Sequence, residues 1–388
     1  MGEKRQGRTW ALDNKGVKVP PLTAATVAPA SERQGHRARR WRIMRSLRGL
    51  ALASGLRSVA YCSTTAIETG ATVSRTADGC AWTGLQRCKS PHACPRCSLD
   101  IAKRNAATVQ ALEEAAKAKG LAVDLVTLTH PHTATDSLET MLGNVLGAWS
   151  NLWRSSSFRA RMKSAGFVGA VRAFEATHGA AGWHVHLHVA VFRSHASEQS
   201  SQLLIERWLS SDLTRSRKAQ DVQWNVGDVA AYVGKGSMRL GAELSAGNAT
   251  KQGKGGNRSP MQLAEAVASK RSDPATVNLW REWLTSTKGR RAWHVIGRKA
   301  LEAALGVSVA EATEPDNEVL SPVAVFTLEQ WATIRAQRSE AFVLTMFETY
   351  PDCRLHYLAP SELGEFLLWV LEHHGADPPF VDVVSSTV

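Results

Sequence analysis

The densest run of reactive side chains in this chain is Gly182-Trp183-His184-Val185-His186-Leu187-His188-Val189. Side chains on a β-strand alternate between faces, so His184, His186 and His188 share one face while Val185, Leu187 and Val189 fill the other. A single histidine on a strand is ordinarily a solvated surface residue. Three in alternation, backed by an apolar face, form a donor set suited to a divalent cation. The strand before them carries Glu175, which a hairpin would bring across from the histidines to complete a His/His/carboxylate site. An exposed strand glutamate is the ordinary alternative for Glu175.

A second pattern is Asp228-Val229-Ala230-Ala231-Tyr232-Val233-Gly234-Lys235. On a helix, Asp228 and Lys235 lie four before and three after Tyr232 and share its face. A phenol beside an ammonium and a carboxylate suits phosphoryl transfer: Tyr232 is the nucleophile, and Lys235 stabilises developing negative charge. Asp228 either activates a second nucleophile or caps the helix that it begins. Taken alone this pattern is weak, because Asp, Tyr and Lys are common on helix surfaces.

The third pattern is Cys80, Cys88, Cys94 and Cys97, four cysteines within eighteen residues. They include one Cys-x-x-Cys and read as a structural Zn²⁺ knuckle, with His92 able to replace one of them. Their irregular spacing leaves reduced, unliganded thiols as the alternative. Of the thirteen tryptophans, Trp149 and Trp153 lie at helical spacing and belong to a core. Trp183 and Trp224, near the first two patterns, are candidates for stacking on bases.

These residues need elements to hold them. Leu121 to Thr129 (LAVDLVTLT) is alternating and β-branched, which predicts a strand. Ser137 to Phe158 predicts a helix with Leu138, Leu142, Val145, Trp149 and Leu152 on one stripe. Phe167 to Ala176 and Trp183 to Phe192 predict a hairpin turning at Gly179 to Gly182. A helix over Ser197 to Ser210, a short strand over Asp221 to Val226 and a helical turn over Val229 to Lys235 follow. The resulting β-α-β-β-α-β order predicts an α+β fold: a central antiparallel sheet with helices packed on one face. A helix from Leu99 to Lys119 precedes it, and a helical region from Met261 to Ala304 follows a glycine-rich break at Gly247 to Gly256.

The chain has 388 residues, 44% of them hydrophobic, and a formal net charge of +12. Met1 to Ala60 holds 13 Lys/Arg against 3 Asp/Glu, whereas Leu301 to Val388 holds 3 against 14. A basic body favours polyanionic partners, because Lys and Arg displace counterions from phosphates. The acidic end has a separate role. Five segments follow: a basic, largely disordered arm (1–75) with a short helix near Trp41 to Leu52, a cysteine cluster and helix (76–120), a catalytic domain (121–240), a helical DNA-binding or accessory region (241–310) and an acidic module (311–388). No apolar run is long enough to span a bilayer and no leader pattern is seen, so a cytoplasmic protein without membrane contact is expected.

In combination these pieces resemble the rolling-circle plasmid replication initiators of the HUH endonuclease superfamily. Leu125 to Thr129 (LVTLT) looks like the family's first motif strand. His186-Leu187-His188 matches its His-hydrophobic-His motif, and Tyr232 with Lys235 its tyrosine motif. Gly84 to Asn105 resembles the cysteine segment that precedes these motifs, and Ser259 to Val307, with LWREW and KGRRAW, a downstream segment. The resemblance covers about residues 80 to 307.

It implies the HUH endonuclease fold and a single-tyrosine enzyme. Mg²⁺ or Mn²⁺ would be held by His186, His188 and either Glu175 or His184; in the former case His184 is left as a DNA contact. Tyr232 would cut one strand of origin DNA, giving a 5′-phosphotyrosine and a free 3′-OH that primes synthesis. Asp228 stands where family members often carry Glu. The implied partners are plasmid origin DNA, duplex and single-stranded, with a host helicase and a DNA polymerase. A single-tyrosine relaxase or transposase shares the same site, and a zinc-stabilised DNA-binding regulator with a dead site is the non-enzymatic alternative.

Overall fold

The structure is a computed structural model that describes residues 31–67, 70–76, 79–194, 198–226, 256–269, 272–309, 321–350 and 352–374. Asp228, Tyr232 and Lys235, the expected helical turn that carries them and most of the glycine-rich break lie outside the described residues. Eight strands are present among those described: β1 (Gly70–Thr76), β2 (Gly79–Thr83), β3 (Leu121–Thr129), β4 (Phe167–Gly179), β5 (Gly182–Ser194), β6 (Asp221–Gln223), β7 (Trp293–Ile296) and β8 (Ser321–Thr327). They form two antiparallel sheets in two compact units, and the chain is mixed α+β.

The larger unit is built on a five-stranded sheet of order β6-β3-β5-β4-β7. From β3 to β6 the chain runs strand, helix, hairpin, helix, strand, in the order read from the sequence. The one difference is that the expected Ser137 to Phe158 helix is two helices, Leu138–Arg154 and Ser156–Ser164. Ser155 ends the first in extended conformation, and its side chain then accepts from Phe158 N to cap the second. The apolar stripe Leu138, Leu142, Val145, Trp149 and Leu152 is buried, as its 3.6-residue spacing requires.

The sheet's two faces differ in chemistry. Val185, Leu187 and Val189 of β5 are fully buried, with Leu138–Arg154 packed on β5. On the opposite face, Val123, Leu125, Val171, Ala173, Ala190 and Phe192 pack with Val109 and Leu112 of the helix Pro95–Ala118 and Leu301 and Leu305 of the helix Arg298–Leu305. That apolar cover meets one end of the face, while the histidines occupy the other end. Full burial of both ends would have stranded the imidazoles in hydrocarbon.

The region expected to be helical from Met261 to Ala304 is not uniformly so. Helices Pro260–Ala268 and Pro274–Ser286 are followed by β7, which pairs antiparallel with β4 through Ala170↔Ile296 to Ala173↔Trp293. Only then does the chain return to a helix, Arg298–Leu305, begun at Gly297 with φ 69°.

The smaller unit is a three-stranded sheet of order β2-β1-β8. Its core joins Val73, Trp82, Phe326, Trp331, Phe347 and Phe366. β1 thus pairs with β2 and also with β8, nearly 250 residues later in the chain. The short helix expected near Trp41 is Ser31–Ala53, and its Arg45 pairs with buried Glu340 at 2.8 Å. Among the described residues no helix is long and apolar enough to cross a membrane.

Candidate metal centre

The hairpin register places Glu175 directly opposite His186, and Ala173 opposite His188. On the other side of β5, Thr127 and Thr129 of β3 stand opposite His188 and His186. Period-two alternation turns all these side chains to one face. Three donor atoms converge there. Glu175 Oε2 lies 3.2 Å from His186 Nε2 and 3.1 Å from His188 Nε2, and the two Nε2 atoms are 3.0 Å apart. Glu175 and His188 are buried and His186 is half-buried.

This triangle tests whether the residues fit a cation. Edges of 3.0, 3.1 and 3.2 Å are in the range of neighbouring ligand atoms around a small divalent ion with bonds of ~2.0–2.1 Å. Two imidazoles and one carboxylate suit a borderline divalent ion. His188 is oriented from behind: its Nδ1 lies 3.3 Å from Thr127 Oγ1. That contact leaves Nε2 for the convergent point.

His184 continues the row but stands outside the triangle. Its ring lies 5.2 Å from that of His186 and 5.0 Å from that of His132. Burial first, then the neighbouring His186 and His132, push its pKa down to about 4, which keeps the imidazole neutral. Of the two expected third ligands, geometry groups Glu175 with His186 and His188.

Three of the expected cysteines cluster: the Sγ atoms of Cys88, Cys94 and Cys97 lie within 4.8 Å of one another. Backbone N–H groups of Ser90 and Cys97 donate to Cys88 and Cys94 sulfur at 3.4 and 3.5 Å. Cys80 is corrected out of the set: it sits on β2 in the apolar core, and burial pushes its thiol pKa up. His92 is likewise outside it. It is buried, donates from Nε2 to the Arg290 carbonyl at 3.1 Å and packs against Phe174 and Trp283. Burial lowers its pKa to about 4.

Trp183 is no stacking platform. It is 2% exposed, donates to Glu282 Oε2 at 2.9 Å and stacks on Trp283. Trp224, just after β6, is exposed.

A buried polar network on the other face of the same sheet carries no motif in the sequence. Asp124 of β3 accepts from Arg193 Nε and Nη2 at 2.6 and 2.9 Å, from Ser201 Oγ at 2.7 Å and from Asn225 N at 2.9 Å. It fixes β5, the helix Gln199–Ser210 and the chain leaving β6. Polar residues inside an otherwise alternating strand are the signal that would have found it.

The fold and site define an α+β protein with a His/His/Glu group on an antiparallel sheet that could hold a metal ion. Residues 82–211, about a third of the chain, match the family described as "Replication protein", which supports a plasmid replication initiator of the rolling-circle kind. The match contains β3, β4, β5 and all three converging residues, and ends before Tyr232. No curated protein and no solved structure matches the chain.

Proposed function

We propose that this protein initiates plasmid rolling-circle replication as an origin-specific DNA-nicking enzyme of the HUH type, with Tyr232 as its single nucleophile. The observation that carries the reading is the convergence of Glu175, His186 and His188 inside the segment that matches the replication-protein family.

The chain's own groups do the following. Glu175, His186 and His188 hold Mg²⁺ or Mn²⁺ at the histidine end of the sheet. The bound ion supplies Lewis-acid polarisation of the scissile phosphate. Tyr232 Oη attacks phosphorus, the bond to the 3′-oxygen breaks, and that oxygen leaves with a proton as the 3′-OH primer. Lys235 neutralises charge on the phenolate and the phosphate. No ATP is needed, since the phosphotyrosine ester conserves the energy of the broken bond. Asp228 activates the nucleophile that later releases the enzyme. Cys88, Cys94 and Cys97 would contribute ligands to a structural Zn²⁺. Origin DNA is met as duplex and single strand, with residues 241–310 as an accessory DNA-binding region and a host helicase and polymerase completing replication.

The test is to incubate the purified protein with supercoiled DNA carrying its own gene and flanking sequence, with Mg²⁺ or Mn²⁺, and to map nicks. One strand-specific nick that disappears with EDTA is expected. Origin binding without cleavage in any divalent metal would leave the zinc-stabilised regulator as the better account.

A further inference from the structure

The loop between β3 and the helix Leu138–Arg154 is pressed onto the β4–β5 turn. Gly182 has φ +85°, and a Cβ there would lie 2.8 Å from Thr133 O and 3.0 Å from Ala134 Cα. Only glycine permits so close an approach. The loop is also closed on itself: Asp136 accepts from Thr133 N and Oγ1 at 2.6 and 3.0 Å, and Asp136 N donates to Thr133 O at 3.3 Å. The consequence is that His132, from the loop, meets His184, from β5, with ring centroids 5.0 Å apart and planes at 65°.

This pair extends the metal face outward. His184 is two residues from His186 on the same strand face, and both His184 and His132 are half-buried, open in part to solvent. Apolar packing does not explain them, because the apolar cover of this face lies at the other end of the sheet. The loop is held by independent means, so it does not need the imidazole contact.

We propose that His132 and His184 form a phosphate-binding subsite for DNA, donating N–H hydrogen bonds to a backbone phosphate next to the one held at the metal centre. This rests on reading the centre as a DNA-nicking site. The ligand chemistry is a phosphodiester of single-stranded DNA. The arrangement is a positioning one: it sets the register of the strand across Glu175, His186 and His188. Two N–H donors favour an anionic, acceptor-rich backbone over a neutral one.

The test measures binding separately from cleavage. Fluorescence anisotropy in EDTA follows a labelled single-stranded oligodeoxythymidylate and its uncharged methylphosphonate analogue, with wild type, His132→Ala, His184→Ala and His132→Asn. Mn²⁺ affinity is measured on the same proteins by calorimetry. For each alanine variant we expect the phosphodiester strand to bind at least about fivefold more weakly, the scale of losing a hydrogen bond to a charged group. The neutral strand should bind all four proteins alike, Mn²⁺ affinity should be unchanged, and His132→Asn, which keeps an N–H donor, should recover most of the loss. Unchanged phosphodiester binding overturns the proposal, as does an equal loss on the neutral strand. Loss of Mn²⁺ affinity in His184→Ala also overturns it, by making His184 a metal ligand. Because none of these readouts needs a nick, a wild-type protein that fails to cut DNA counts against the nicking reading and leaves the subsite decided by binding.

Discussion

Replacing Glu175 by glutamine removes the one formal negative charge of the converging set while keeping its volume. Glu175 Oε2 lies 3.2 and 3.1 Å from the two imidazole nitrogens, and the residue is 2% exposed, so solvent screening at the carboxylate is weak. Two unit charges ~4 Å apart at an effective dielectric of ~20 interact by ~4 kcal/mol. A ligand contact is shorter and the ion doubly charged, but the carboxylate's lost hydration and the water that takes its place remove most of that excess. A net loss of ~3–4 kcal/mol, at ~1.4 kcal/mol per tenfold, weakens divalent binding by two to three orders of magnitude. Calorimetric titration of Mn²⁺ into metal-free wild type and Glu175→Gln measures this directly, and circular dichroism checks that the variant is folded. Equal Mn²⁺ affinity in the two folded proteins would refute the reasoning and make Glu175 a partner of the histidines rather than a ligand.

Asp124→Ala should cost about 3–5 kcal/mol in urea unfolding, because it leaves the Arg193 guanidinium buried without its counter-charge; adding Arg193→Met should recover a large part. Purified protein should hold about one Zn²⁺ per chain; metal analysis should show it lost from Cys94→Ser and Cys97→Ser and kept by Cys80→Ser. Asp228→Ala should nick DNA but fail to terminate, which appears as multimeric plasmid on gels. Asp228→Asn separates that role from a helix cap worth about 0.5–2 kcal/mol: normal termination in this variant would leave capping as the explanation.

What was legible in the sequence was whatever local periodicity writes. β3 ran from Leu121 to Thr129 as its alternation required, and the hairpin register that brings Glu175 to His186 follows from two strands and a four-residue turn. The histidine face was legible for the same reason. Long-range pairing was not. Nothing local to β1 says that it pairs with β8, and β7 is four residues long, too short for its alternation to stand out from the helices around it. Cys80 fits by spacing yet faces an apolar core, which spacing alone does not reveal. Trp183 belongs to the core because its indole N–H finds Glu282, ninety-nine residues away. The Asp124 network is not legible in sequence because its three partners, Arg193, Ser201 and Asn225, come from three distant segments.

The central claim is that Tyr232 forms a covalent bond with DNA at a cation centre made by Glu175, His186 and His188. The most direct measurement is mass spectrometry of protein incubated with its origin strand and Mn²⁺, digested to locate any nucleotide-bearing peptide. The account predicts one adduct, a 5′-phosphoester on Tyr232. It should be absent in Tyr232→Phe and after EDTA, and reduced at least about a hundredfold, ~2.7 kcal/mol of barrier, in His186→Ala and His188→Ala. An adduct on a different residue, or full adduct yield in EDTA, would contradict it.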